Sequence, residues 1–330
     1  MNAPAKQTLL QAVNEALHIA MEADPKVLVL GEDVADPEGG GVVGVTKGLS
    51  AKFGADRVIS TPISEQAIIG AAIGASLVGY KPVAEIMLMN FTTIAMDMIT
   101  NHAAKLRYMS GGQTNVPIVI RMMTGAGGSG GGQHSDFLEA WFAHTPGIKV
   151  VAPSCPADAK GLMLSCIADP DPCMFIESML TYWVPGTPAE NNDPMPLGKA
   201  RTAVAGTDIT IVSYARMALV AQEAAAKLLE DGISAEVIDL RTISPWDREA
   251  VLASVRKTGR AIVVHEAVRS FGVGAEIAST ISEELFGQLK APVRRLGAPD
   301  TPVPFSKPLE TAFLVSAETI VKTATQLVRG

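Results

Sequence analysis

Apolar positions recur at helical spacing over residues 8–23 and give way at once to a short apolar run, "KVLVLGED". The same alternation continues down the chain. Strands are predicted at "VAEIM", "VPIVIRMM", "IKVVAP" and "CMFIE", with helices between them over 64–78, 90–109 and 156–168. Farther on, "DITIVSY", "AEVIDLR", "AIVVHE" and "APVRRLG" read as strands, interleaved with helices over 217–230, 247–257, 273–289 and 310–328. Apolar strands alternating with helices predict an α/β architecture built on parallel sheets covered on both faces. The pattern breaks between Tyr182 and Asp208, where "VPGTPAENNDPMPLGK" is rich in Pro, Asn and Gly and has no period. This break reads as a linker between two doubly wound domains, 1–190 and 191–330.

One predicted helix raises a chemical question. After Glu65 there is no charged residue until Lys81, and the small apolar residues between them predict a helix packed on all sides. Glu65 is then either a first-turn acid favoured by the helix dipole or an acid kept in an apolar pocket to manage a proton. A second conspicuous stretch is "GAGGSGGGQHSD", residues 125–136, where Gly125, Gly127 and Gly130 fit a dinucleotide-binding spacing. The context fails, because glycines run on through Gly132, where that motif starts a helix, and no acid follows about 20 residues on. The better reading is a backbone stripped of side chains so that a flat ligand can approach it. His134 ends this loop, and loops at strand C-termini are where parallel sheets bind ligands. His18 and His102 fall within helices, His144 precedes a turn, and His265 ends a strand beside Glu266, where a satisfied polar group is expected. "GED", residues 31–33, reads as a capped turn. No histidine pair has metal-ligand spacing, and no G-x-S-x-G elbow is present.

Composition narrows the function classes. With 48% hydrophobic and 18% charged residues, the 330-residue chain has the means to bury a large core. A net charge of -7 without any basic stripe excludes a nucleic-acid partner. Cys155, Cys166 and Cys173 are odd in number and form no C-x-x-C pair, which argues against a disulfide framework and predicts a reducing cytoplasm. No uncharged apolar run free of Gly reaches the roughly 18 residues a membrane span requires, so a soluble protein is expected.

Read together, "LGEDV", "DRVISTPISEQAIIGAAIGASLVGYKPVAEIM", "NFTTIAMDMITNHAAKLRYMSGG", "VPIVIR", "QHSDFLEAWFAHTPGIKVVAPS", "DAKGL", "VIDLRTISP" and "TPVPFS" carry a resemblance. In this order, across nearly the whole chain, they resemble the β subunit of the thiamine-diphosphate-dependent first component of 2-oxo acid dehydrogenase complexes, a group that includes pyruvate, branched-chain and acetoin dehydrogenases. The resemblance implies a transketolase-like fold, with a pyrimidine-binding domain over 1–190 and a transketolase C-terminal domain over 191–330. It implies a separate α subunit whose Gly-Asp-Gly motif holds the diphosphate and Mg2+, a tetramer of two α and two β chains, and a lipoyl-bearing acyltransferase core. This chain contains no Gly-Asp-Gly, as a β subunit requires. The implied activity is formation of the cofactor ylide for C–C cleavage of the substrate and reductive acylation of a lipoyl group. The rival readings are a stand-alone transketolase-like enzyme fragment and a noncatalytic α/β binding module.

Residue roles carry over by the same resemblance. Glu65 matches the acid that bonds the aminopyrimidine ring nitrogen, Phe91 the aromatic that stacks on that ring, and Ile63 and Met87 its apolar neighbours. His134 matches a loop histidine near the substrate carbon. Ile118, Cys166, Ile167, Asp169 and Asp171 occupy the stretch that holds K+ in relatives, three of them through backbone carbonyls only. Met98 stands where relatives commonly have Gln, and the 125–132 loop has more glycine than theirs. Both departures lie toward the substrate side. "GVVGVTKGL" and "VSYARM" are similar to acetoin-type chains, and a pyruvate- or acetoin-type donor is expected.

Overall fold

A computed structural model describes residues 6–330. The chain forms two compact units, Met1–Thr124 with Trp141–Leu197, and Gly125–Ala140 with Gly198–Gly330. In chain order the first stretch runs β1 (Gln7–Thr8), α1 (Leu9–Ala23), β2 (Val27–Gly31), α2 (Leu49–Phe53), β3 (Val58–Ser60), α3 (Glu65–Leu77), β4 (Lys81–Leu88), α4 (Leu106–Met109) and β5 (Val119–Thr124). It continues with α5 (Glu139–Ala143), β6 (Lys149–Val151), α6 (Pro156–Ala168), β7 (Cys173–Ser178) and β8 (Pro185–Gly186).

In the first unit, β6-β7-β5-β4-β2-β3 are adjacent in that order and run parallel. Register places Val58, Val29, Val83, Val119 and Cys173 in one row across the sheet. That row is buried in one core with Leu9, Val13 and Leu17 of α1 and Leu162 and Met163 of α6. A capping box starts α1, with the Thr8 hydroxyl accepting from the Gln11 amide and the Gln11 side chain accepting from the Thr8 amide. Two residues along the same face from Val83 and Val119 come Glu85 and Arg121, paired across β4 and β5. The Arg121 guanidinium bonds Glu85 and both oxygens of Glu177, the latter at 2.7 and 2.9 Å, and the Tyr182 hydroxyl donates to Glu177 at 2.8 Å. Every member of this ionic cluster is buried.

The helix expected over 90–109 is replaced by three short pieces: a 3-10 turn Met89–Ala95, a π-helical turn Met98–Ala103 and α4. The hydroxyls of Thr92, Thr93 and Thr100 bond carbonyls three or four residues back, which competes with regular helical bonding. The packing expected all round α3 is also corrected. Glu65, Ile68, Ile69, Ala72, Ile73 and Ser76 are buried, whereas Ala67, Ala71, Gly74 and Leu77 on the opposite side stay exposed.

The second unit comprises β9 (Arg201–Val204), β10 (Ile209–Ser213), α7 (Ala215–Glu230), β11 (Ala235–Asp239), β12 (Thr242–Ser244), α8 (Arg248–Thr258), β13 (Ala261–Val268), α9 (Val273–Glu284), β14 (Arg294–Ala298), α10 (Lys307–Phe313) and α11 (Ala317–Arg329). Its five-stranded sheet has the order β14-β13-β10-β11-β9, parallel except for β9. Ile211, Val237, Ile262 and Val264 form a core with Met217 and Leu228 of α7 and Ile320 and Leu327 of α11. The single helix expected over 310–328 is two helices, because Ser316 caps α11 by accepting from the Thr319 amide at 3.3 Å. β9 lies within the stretch read from sequence as aperiodic linker.

Candidate active site

In the first unit the end of β3 leads through Thr61 and Ser64 into α3. The Thr61 amide donates to the Gly31 carbonyl at the end of β2, at 2.9 Å, which brings "GED" beside "TPISE". Glu65 is the first residue of α3 and only 5% exposed. Glu32 is equally buried, and one of its carboxylate oxygens has no hydrogen-bond partner. Burial and then the neighbouring Glu65 charge hold Glu32 above the usual carboxylate range, against a lowering bond from the Ser64 amide. Both effects disfavour the charged form of Glu32. Glu32 is a candidate that sequence reasoning passed over as part of a capped turn; its signal was an acid placed directly after the apolar run of β2.

Met87 lies half-buried near the end of β4, and Phe91 half-buried in the 3-10 turn that follows. That turn and β4 both pack against α3, so Glu65, Met87 and Phe91 gather at the C-terminal edge of the sheet. Ile63, 81% exposed, stands two residues before Glu65. A groove beside Glu65 is lined by Ser64, Gln66, Ala67, Gly70, Ile94 and Met98. Met98 covers Gly70, where an added Cβ would lie 3.6 Å from its sulfur.

The stretch matched to K+ lies at the other edge of this sheet, since Ile118 precedes β5 and Asp169 and Asp171 precede β7. Lys149 bonds Asp169 at 2.6 Å and Asp171 at 3.0 Å, and Arg107 bonds Asp171 at 2.6 Å. The Cys166 and Ile118 carbonyls accept from the amides of Asp169 and Cys173. Among the described residues no group of three or more His, Cys, Asp or Glu side chains is placed to hold a metal.

His134 belongs to the second unit. Its loop turns through Gly125 and Gly127, at φ 114° and 115°, a left-handed region that glycine enters without a Cβ clash. The Ala126 amide donates to Glu266 at 2.7 Å, the Gly127 amide to Glu310 at 2.6 Å, and the Ser129 amide to Glu310 at 3.0 Å. The backbone read from sequence as open to a flat ligand therefore gives these amides to carboxylates of its own unit. His134 is exposed, and its amide donates to the Gly131 carbonyl at 3.2 Å.

Near this loop lie further buried acids. Burial pushes Glu266 and Glu139 each up to about 7, and the Tyr214 hydroxyl donates to Glu139 at 2.6 Å. His265 is fully buried, stacks on Tyr214, and bonds the Ala267 carbonyl through Nδ1 at 3.1 Å. Burial pushes it down to about 4, so it is a neutral packing residue at neutral pH. Glycine is needed around it, since a Cβ at Gly274 would lie 2.7 Å from its ring.

Two family profiles match the chain. The sequence profile of the transketolase pyrimidine-binding domain matches residues 5–183, and that of the transketolase C-terminal domain matches 198–320. The chain is 44% identical to the β subunit of acetoin:2,6-dichlorophenolindophenol oxidoreductase from Cupriavidus necator, over 98% of each chain. It is 45% identical to the mitochondrial pyruvate dehydrogenase E1 component subunit β-1 of Arabidopsis thaliana, over 96% of this chain and 88% of that one. A split-gene transketolase, solved as an inactive β4 tetramer, superposes with a TM-score of 0.80 at 25% identity, covering 99% of each chain. The chain belongs to the family of β subunits of the thiamine-diphosphate-dependent first component of 2-oxo acid and acetoin dehydrogenase complexes.

Proposed function

We propose that this chain prepares thiamine diphosphate for C–C cleavage of a pyruvate- or acetoin-type donor, in a tetramer of two β chains with two α chains. Residues 1–190 act as the pyrimidine-binding domain and 191–330 as the transketolase C-terminal domain. The observation that carries this reading is the buried pair Glu65 and Glu32 at the head of α3, beside the half-buried Met87 and Phe91. An aminopyrimidine fits that donor set, since it offers a ring nitrogen to a protonated carboxyl and an apolar face to an aromatic ring. When bound, the cofactor supplies a carbon nucleophile for attack on the substrate carbonyl. Glu65 holds a proton at the ring nitrogen, Glu32 helps keep a proton in the pair, and Phe91, Met87 and Ile63 shield the ring from water. His134 handles a proton at the substrate carbon or during acyl transfer to a lipoyl group of the acyltransferase core.

The diphosphate and Mg2+ rest on the α chain's Gly-Asp-Gly motif. With Asp169 and Asp171 neutralised by Lys149 and Arg107, a K+ in the stretch Ile118, Cys166, Ile167, Asp169 and Asp171 would rest on carbonyl oxygens. Among the described residues no helix is long and apolar enough to cross a membrane. We place the protein in the cytoplasm, where Cys155, Cys166 and Cys173 stay reduced, outside any disulfide as they are here.

Titrating thiamine diphosphate and Mg2+ into this chain alone, and into its assembly with a Gly-Asp-Gly α chain, tests the proposal. Micromolar or tighter binding, about 8 kcal/mol or more, is expected only in the assembly. Tight binding by the chain alone would support the stand-alone enzyme, and no binding in either would support a noncatalytic module.

A further inference from the structure

A loop of six glycines in eight residues, 125–132, has few side chains to give it one shape, although Ala126 packs with Ala298, Val303 and Phe313. Glycine loses more conformational freedom on folding than any other residue, so some other part of the unit must hold the loop. The holding element is the first turn of α10. Glu310 is fully buried, and its Oε1 accepts from the amides of Gly127 at 2.6 Å and Ser129 at 3.0 Å. Its Oε2 accepts from the Ser129 amide at 3.1 Å and the Ser129 hydroxyl at 3.5 Å. From the same turn, Lys307 Nζ donates to the Gly127 carbonyl at 2.6 Å. Gly127 is thus gripped at both its amide and its carbonyl. Glu266, from β13, takes the preceding amide, that of Ala126, at 2.7 Å. Successive amides arranged in this way form an anion-binding concavity, and here a carboxylate of the chain itself fills it.

We infer that Glu310 is a positioning residue: its carboxylate fixes the backbone of the loop that carries His134, and thereby governs the substrate half of the reaction. This inference rests on the reading of His134 as a substrate-side residue. Glu310 touches neither substrate nor cofactor in this role. Both its oxygens act as acceptors: Gln in its place keeps one acceptor for the Gly127 and Ser129 amides but turns its NH2 toward the Ser129 amide and loses the charge that strengthens these bonds.

The test uses the chain assembled with its α partner. In Glu310→Gln, amide hydrogen exchange across 125–133 is expected to quicken at least 10-fold. Turnover is expected to fall at least 10-fold while cofactor affinity and proton exchange at the thiazolium carbon stay at the wild-type level. In a His134→Ala background the same substitution is expected to change turnover less than twofold, because a residue acting through His134 has nothing left to act on. Unchanged amide exchange, or turnover losses that multiply in the double variant, would overturn the inference. If Glu310→Gln fails to assemble, Lys307→Met decides. Lys307 is largely exposed, and faster loop exchange with reduced turnover supports the grip, whereas no change in either refutes it. Full turnover in His134→Ala alone would refute the histidine's role and leave the exchange result standing by itself.

Discussion

Glu65 occupies a position where two physical effects coincide. It begins a helix, where the dipole favours a negative charge, and it is buried beside Glu32, whose carboxyl burial and the Glu65 charge hold above the usual range. The bland and the catalytic readings of the sequence therefore describe one residue in one place, and only chemistry separates them. Glu65→Gln keeps the shape and removes the acid. In the assembled enzyme, proton–deuterium exchange at the thiazolium carbon is expected to slow at least ~100-fold, the scale of general acid–base effects. An unchanged exchange rate would return Glu65 to the role of a helix-end acid. His265 shows the opposite outcome. Set against Gly272, Gly274 and Gly297, and neutral down to about pH 4, it packs as a neutral ring whose Nε2 has no hydrogen-bond partner among the described residues, unlike the satisfied polar group expected from sequence.

At the level of elements, β4, β5 and β7 place Glu85, Arg121 and Glu177 on the otherwise apolar face toward α1 and α6. The Arg in "VPIVIRMM" is visible in the sequence, but its partners lie 36 and 56 residues away. Parallel register brings them together. Removing the cation leaves two carboxylates buried without compensation, so Arg121→Met is expected to cost about 3–5 kcal/mol, read from chemical denaturation. Replacing Arg121, Glu85 and Glu177 together by apolar residues of similar volume is expected to recover most of that loss. A triple variant no more stable than Arg121→Met would show that the cluster contributes more than mutual neutralisation.

At the scale of the whole molecule, buried carboxyls make stability depend on pH. Glu139 has an ordinary value of 4.5 and is pushed by burial up to about 7 in the folded chain. Between these values the native state binds more protons than the unfolded state, so stability falls as pH rises through the window and the loss is complete above about 7. Glu139→Gln keeps an acceptor for the Tyr214 hydroxyl and removes the titration. Its melting temperature is expected to exceed that of the wild type at pH 8 and to match it near pH 5. Parallel melting curves at both pH values would refute the assignment of this acid as a buried proton holder.

Periodicity by itself determined the α/β class and most strands and helices, because a strand or helix buried in a parallel sheet leaves a local pattern of apolar residues. The order of motifs determined the family. Local pattern also singled out Glu65 and His134 as candidates, since an isolated charge in an apolar run and a histidine on a glycine loop are visible without neighbours. Other features depended on residues far apart in the chain. Glu32 joined Glu65 only because β2 and β3 lie side by side. The helix expected over 90–109 broke up where threonine hydroxyls took its carbonyls. Glu310 reached the glycine loop across about 180 residues of sequence to hold amides that no local pattern assigns a partner. Periodicity records which residues are buried; which carboxylate meets which amide is decided by the packing of elements distant in sequence.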